Sequence, residues 1–143
     1  MPDKHAQKLG RLHRVRTLQL DMVRASEVAA REKVAAEQAL RARIESLAQG
    51  VAPAPAPLPG SATSLIAAAH YRERLHQSAF AAERRVADAQ RGLAHARSAT
   101  QEAKRDQSAI EKLIERAEAN AARRAMRALE DMPAIPRKRH DPC

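Results

Sequence analysis

Apolar residues in the second half of the chain recur at a strict alternation of three and four. Positions 75, 79, 82, 86, 89, 93, 96, 100, 103, 107, 110, 114, 117 and 121 read Leu, Ala, Ala, Val, Ala, Leu, Ala, Thr, Ala, Gln, Ile, Ile, Ala and Ala. Twelve of the fourteen are apolar. A spacing that averages 3.5 residues holds one face of an α-helix toward a partner, so the pattern predicts a coiled-coil seam. Between Ser64 and Asp131 there is no proline and one glycine, Gly92. Nothing there stops a helix that would extend about 100 Å at roughly 1.5 Å per residue. The many seam alanines predict close helix approach and modest stability, and the polar interruptions Thr100 and Gln107 are read as devices of register or flexibility.

The first segment, from about Lys4 to Ala48, also lacks proline and has only Gly10, which predicts a second helix. Its best three-four register by apolar count takes 12, 15, 19, 22, 26, 29, 33, 36, 40, 43 and 47, of which seven are apolar: Leu12, Val15, Met22, Ala29, Ala36, Leu40 and Leu47. Leu18, Leu20, Val23, Val34 and Ile44 fall off that line, so the apolar stripe is broad enough to touch more than one partner.

Between the helices, Gly50 to Gly60 reads GVAPAPAPLPG, with proline at 53, 55, 57 and 59. Each proline removes a backbone donor and biases the residue before it away from the helical region, so the segment should be extended and polyproline-like. A stiff connector is preferred here to a PxxP-type ligand. The expected organisation is therefore a first coiled-coil helix over 1–49, a Pro-rich connector over 50–60, a longer second helix over 61–132 and a disordered basic tail over 133–143. The fold class expected is all-α, two long helices forming an antiparallel coiled-coil hairpin, because each seam needs an apolar partner and the nearest is the other helix. If Ala48 comes level with Ala62, facing residue numbers add to about 110, and the second helix overhangs by some 25 residues. An apolar stripe left in water there should insert into another protein or self-associate.

Composition narrows the class further. Of the 143 residues 33 are Ala, and Tyr71 and Phe80 are the only aromatics, a set that cannot fill a thick core or build a sheet. Lys and Arg exceed Asp and Glu by 26 to 17, a formal net charge of +9 that attracts anionic partners. The excess is spread along the chain, and neither stacking aromatics nor a groove-entering module accompanies it, so nucleic acid is a poor fit as partner. Cys143, the last residue, offers no internal disulfide. The charged start and the absence of any apolar run of roughly 18 to 20 residues predict neither a secretory signal nor a transmembrane segment.

Catalytic constellations are missing. The six histidines, at 5, 13, 70, 76, 95 and 140, form no HExxH pair or Cys/His ladder, and the dispersed glycines make no phosphate loop. Glu111 and Glu115 share a helix face but sit among Lys112 and Arg116, as solvated surface charges do. No metal site and no cofactor are expected, and the reading is of a protein that is not an enzyme.

Ile110 to Asp131, IEKLIERAEANAARRAMRALED, carries a Lys-Leu-x-x-Arg core (Lys112, Leu113, Arg116), a basic stretch (Arg123, Arg124, Arg127) and a closing acidic pair (Glu130, Asp131). With two long helices, the second longer, this resembles the FliJ/YscO family of type III export stalk proteins, of flagellar or injectisome systems. Tyr71 followed by Leu75 is similar to an aromatic and a leucine that face the export gate in that family. Ser78 and Ala82 depart from its best-characterised gate-binding pattern. The resemblance implies a cytoplasmic protein, peripherally associated with the inner membrane. It implies binding to a hexameric export ATPase through Ile110, Leu113, Ile114, Arg116, Arg123, Arg124 and Arg127, and to the export gate membrane protein through Tyr71 and Leu75. Export chaperones are further candidate partners. The alternative reading is a basic coiled coil that associates with nucleic acid or scaffolds as a homo-oligomer.

Overall fold

A computed structural model of the chain describes residues 4–50 and 62–133. They form two helices, α1 (Lys4–Gly50) and α2 (Ala62–Glu130), packed against each other in an all-α hairpin, with no strand among the described residues. The expected connector and tail lie outside the described residues, apart from Gly50, which closes the last turn of α1, and Pro133. After Glu130 the amides of Asp131 and Met132 bond back to the carbonyls of Arg127 and Leu129, and Pro133, which disfavours helix in the residue before it, follows at once. Contacts divide the chain into two compact units, one of Met1–Thr17 with Arg105–Cys143 and one of Leu18–Lys104.

The α2 seam follows the sequence periodicity. Leu75, Ala82, Val86, Ala89, Thr100 and Ile110 are buried, and Ala79, Leu93, Ala96, Ala103, Gln107, Ile114 and Ala117 are half-buried. Of the fourteen expected positions only Ala121 is exposed.

The α1 register is a correction. Positions 13, 16, 20, 23, 27, 30, 34, 37, 41, 44 and 48 are covered, each one residue after the expected line, with Leu9, Gly10 and Thr17 covered besides. Leu20 is the most deeply buried side chain at 2% exposure, while Leu12, Val15, Met22, Leu40 and Leu47 are exposed. One residue is a rotation of about 100° on a helix of 3.6 residues per turn, enough to swap the covered and solvent faces. The apolar count misled because five of the eleven true positions are polar: His13, Arg16, Glu27, Glu37 and Arg41. Four of these reach partners on α2. His13 Nε2 lies 3.2 Å from Glu111 Oε1 and Arg16 Nη1 donates to Asp106 Oδ2 at 2.9 Å. Arg97 Nε lies 3.9 Å from Glu27, and Arg85 Nε lies 3.2 Å from Glu37.

These pairs also fix the stagger. In the first unit, His13 with Glu111 and Thr17 with Gln107 each total 124, and Arg16 with Asp106 totals 122. In the second, Glu27 with Arg97 totals 124, Val23 with Thr100 123 and Glu37 with Arg85 122. The expected total of about 110 is therefore replaced by about 123, and α2 runs past Lys4 by about 11 residues instead of 25. By the same register Gly50 comes level with about residue 73, so the first three turns or so of α2 lie beyond the last residue of α1. Seam complementarity, not the shortest closure between Gly50 and Ala62, sets the pairing.

The two polar positions of the α2 seam, Thr100 and Gln107, are hydrogen-bonded, whereas Glu37 Oε2 on α1 is buried with only the ion pair to Arg85. The Thr100 hydroxyl, 6% exposed, donates to the Ala96 carbonyl at 3.0 Å and lies 3.5 Å from that of Val23. Gln107 Nε2 donates to the Thr17 hydroxyl at 3.2 Å, and that hydroxyl donates to the His13 carbonyl at 2.9 Å. A polar group inside a seam costs stability unless bonded, and in exchange it penalises every register that would leave it unpaired.

Candidate functional site

The first unit carries the chain's most concentrated charge. Over residues 4–17 α1 has Lys4, Lys8, Arg11, Arg14 and Arg16 and no acidic residue. Over 105–131 the chain has six basic and six acidic residues, so the described part of this unit holds a net five positive charges. On α2, Arg116, Asn120, Arg123 and Arg127 are spaced by four, three and four, which stacks them on one helix face. The side chains toward the seam, Ala117 and Ala121, are small, and the face opens into a concave basic surface of about 630 Å³. It is lined by Leu113, Arg116, Ala117, Asn120, Arg123, Arg124 and Arg127, with His5 contributed by α1.

Five of the seven residues expected at an ATPase contact thus meet around one cleft: Leu113, Arg116, Arg123, Arg124 and Arg127. Ile114 lines a neighbouring apolar cavity of about 330 Å³ with Ala6, Leu9, Gly10, Ala117, Glu118 and Ala121. Ile110, 9% exposed, is covered by the seam. A partner reaches the arginines and Leu113 directly, and Ile110 only by parting the helices. Arg116, Arg123 and Arg127 form no ion pair among the described residues, so a bound anion would gain their charge without breaking an internal bridge. His5 is the one lining residue from the opposite helix, and it was invisible to sequence reasoning because only the true stagger brings it level with about residue 118.

In the second unit, Tyr71 is 47% exposed in the part of α2 that lies beyond the last residue of α1, beside exposed Leu65 and Ile66. Leu75, one turn on, is 8% exposed and occupies the seam level with Ala48. Tyr71 is open to solvent; Leu75 is committed to the hairpin.

Glu27 is the carboxylate most shaped by its surroundings. Its side chain is 13% exposed at the seam, and the Thr100 hydroxyl, then the guanidinium groups of Arg31 and Arg97, hold its carboxyl below the usual range against an opposing desolvation. Glu27 bridges to Arg31 at 2.6 Å along its own helix. This is the geometry of a structural bridge at the edge of the seam, with both guanidinium groups more than half exposed. No group of three or more His, Cys, Asp or Glu is placed to hold a metal ion among the described residues. No helix among them is long and apolar enough to cross a membrane. Compared with protein-family models, curated proteins and solved structures, the chain matches none.

Proposed function

We propose that this chain is a non-enzymatic coiled-coil stalk of a type III protein export apparatus, acting in the cytoplasm at the inner membrane. In this reading it binds a hexameric export ATPase through its first unit and the export gate through the start of α2. The observation that carries the reading is the cleft of Arg116, Arg123, Arg124 and Arg127 on α2, a cleft that begins beside the first turn of α1 and continues past Lys4 with Arg123, Arg124 and Arg127. A single helix is only about 10–12 Å across with its side chains, narrow enough for the central hole of a ring, and three guanidinium groups on one face, with Arg124 beside them, give an acidic lining a directional grip. Leu113 supplies the apolar contact beside them. Exposed Tyr71 is the anchor offered toward the gate.

The test is the hydrolysis rate of the export ATPase with and without the full chain, together with co-elution of the two. Stimulation and co-elution are expected, and replacing Arg123, Arg124 and Arg127 together by Glu should abolish both while leaving helicity unchanged. Stimulation that survives the triple substitution overturns the site, and a wild-type chain that neither binds nor stimulates overturns the stalk role. The net five positive charges of the first unit favour nucleic-acid association as the second reading. Phosphate contacts make such affinity fall steeply with salt, so binding that stays tight at physiological ionic strength would favour it.

A further inference from the structure

The side of α1 turned away from α2 in the second unit is a second apolar face. Positions 18, 22, 25, 29, 36, 40, 43 and 47 fall on one straight line along a helix of 3.6 residues per turn, and they read Leu, Met, Ala, Ala, Ala, Leu, Arg and Leu. All eight are exposed, Leu18 by 64% and Met22 by 71%. A helix that serves one partner shows apolar residues on one stripe, whereas α1 shows them on opposite sides, as a helix held between two neighbours does.

We propose that this face pairs with the same face of a second copy of the chain, antiparallel, about a two-fold axis between Glu32 and Lys33. The face is centred on that point, since Leu18 and Leu47 are equally far from it. Antiparallel pairing there sets Leu18 against Leu47 of the other copy, Ala25 against Leu40, and Ala29 against Ala36. Large residues meet small ones inside, and leucines close both ends. Met22 meets Arg43, whose aliphatic stem covers apolar surface while its charge reaches water. At the axis Glu32 of each copy meets Lys33 of the other, and neither forms an ion pair within its own chain among the described residues. A two-fold interface must be self-complementary in this way, with every contact made twice. The exposed side chains of the face, with Val28 beside them, offer on the order of 800 Å² per copy, the share one partner gives to a standard-size interface. The result is a four-helix arrangement with α1 of each copy inside. It uses none of the residues assigned to the ATPase or the gate, so it stands or falls separately from the stalk reading.

The mass of the full chain in solution, measured by sedimentation equilibrium at physiological salt, tests it. A species of twice 15.7 kDa is expected at tens of micromolar. Met22→Lys, at a position open to solvent in the single chain, sets a like charge against Arg43 of the other copy and should give a monomer of unchanged helicity. Lys33→Glu gathers four carboxylates at the axis and should weaken pairing at least about tenfold, and Glu32→Lys combined with Lys33→Glu should restore it, because the swap preserves every opposite-charge contact. A wild-type chain that stays monomeric overturns the proposal and leaves the face for another protein. A dimer that survives Met22→Lys, or that the double swap fails to restore, overturns this face and axis.

Discussion

Leu20→Ala against Leu12→Ala separates the two α1 registers, which differ by one residue and by nothing else. Leu20 is 2% exposed and its removal takes three carbons out of the seam; at about 0.8 kcal/mol per buried CH₂ the transfer loss is about 2.4 kcal/mol. Unrelaxed space raises that toward the 2.7–5 kcal/mol range seen for buried Leu→Ala in closely packed cores. A two-helix seam can close partly from its open sides, so about 2.5–3.5 kcal/mol is expected. Leu12 is 39% exposed and lies one residue off the covered line, so the same substitution should cost about 1 kcal/mol or less. The assay is urea unfolding followed by far-ultraviolet circular dichroism at one fixed chain concentration. A lower midpoint at unchanged slope reports lost stability rather than a changed unfolded state. In heating experiments the difference of about 2 kcal/mol corresponds to roughly 4–8 °C. Equal losses at the two positions, or a larger one at Leu12, would refute the register and every cross-helix pairing derived from it.

Two smaller predictions follow from single positions. Acidification should weaken the hairpin through Glu27: its carboxyl is held lower in the folded chain than its ordinary 4.5, so its stabilisation is complete above that value and is lost as pH falls through the lowered one. Thermal melts between neutral pH and pH about 3 should therefore decline less steeply in Glu27→Gln than in the parent, and an identical slope would remove Glu27 from the acid response. Gly92 lies in the interior of α2, and a Cβ placed on it would meet nothing within 4 Å. Gly92→Ala should raise stability by up to about 1 kcal/mol, a gain visible as a higher urea midpoint; a lower midpoint would mean that something approaches this backbone.

Much of the fold is legible because its determinants are local and repetitive. The proline run predicts a break between the helices, the heptads of α2 predict its buried face almost position by position, and Thr100 and Gln107 stand where a polar residue inside a seam fixes alignment. The stagger is illegible for a definite reason. Nothing in either helix alone states which residue faces which, and a hairpin closed tightly at its connector is only the simplest guess. Cross-helix bonds such as Arg16 to Asp106 carry that information, and single exposed ion pairs are too weak and too numerous in a sequence with 43 charged residues to be picked out in advance. The basic cleft follows the same division. Its arginines are visible as a helical face, while His5 depends on the stagger.

The misplaced register of α1 and the second face of that helix have one physical cause. Counting apolar positions finds the line with the most hydrophobic residues, and on a helix with a single partner that line is the buried one. On α1 the buried line owes part of its hold to Glu27, Glu37, Arg16 and His13, which pair across to α2, so it needs fewer apolar side chains. The surplus of Leu18, Met22, Leu40 and Leu47 lies in the solvent. Selection for hairpin stability alone would fill Glu27 and Glu37 with leucine and leave Leu18 and Met22 polar, because apolar area lowers the free energy only where water is removed from it. The distribution found is the reverse, and it is what a helix requires when its polar contacts set the pairing inside the chain and its apolar contacts are kept for a second chain.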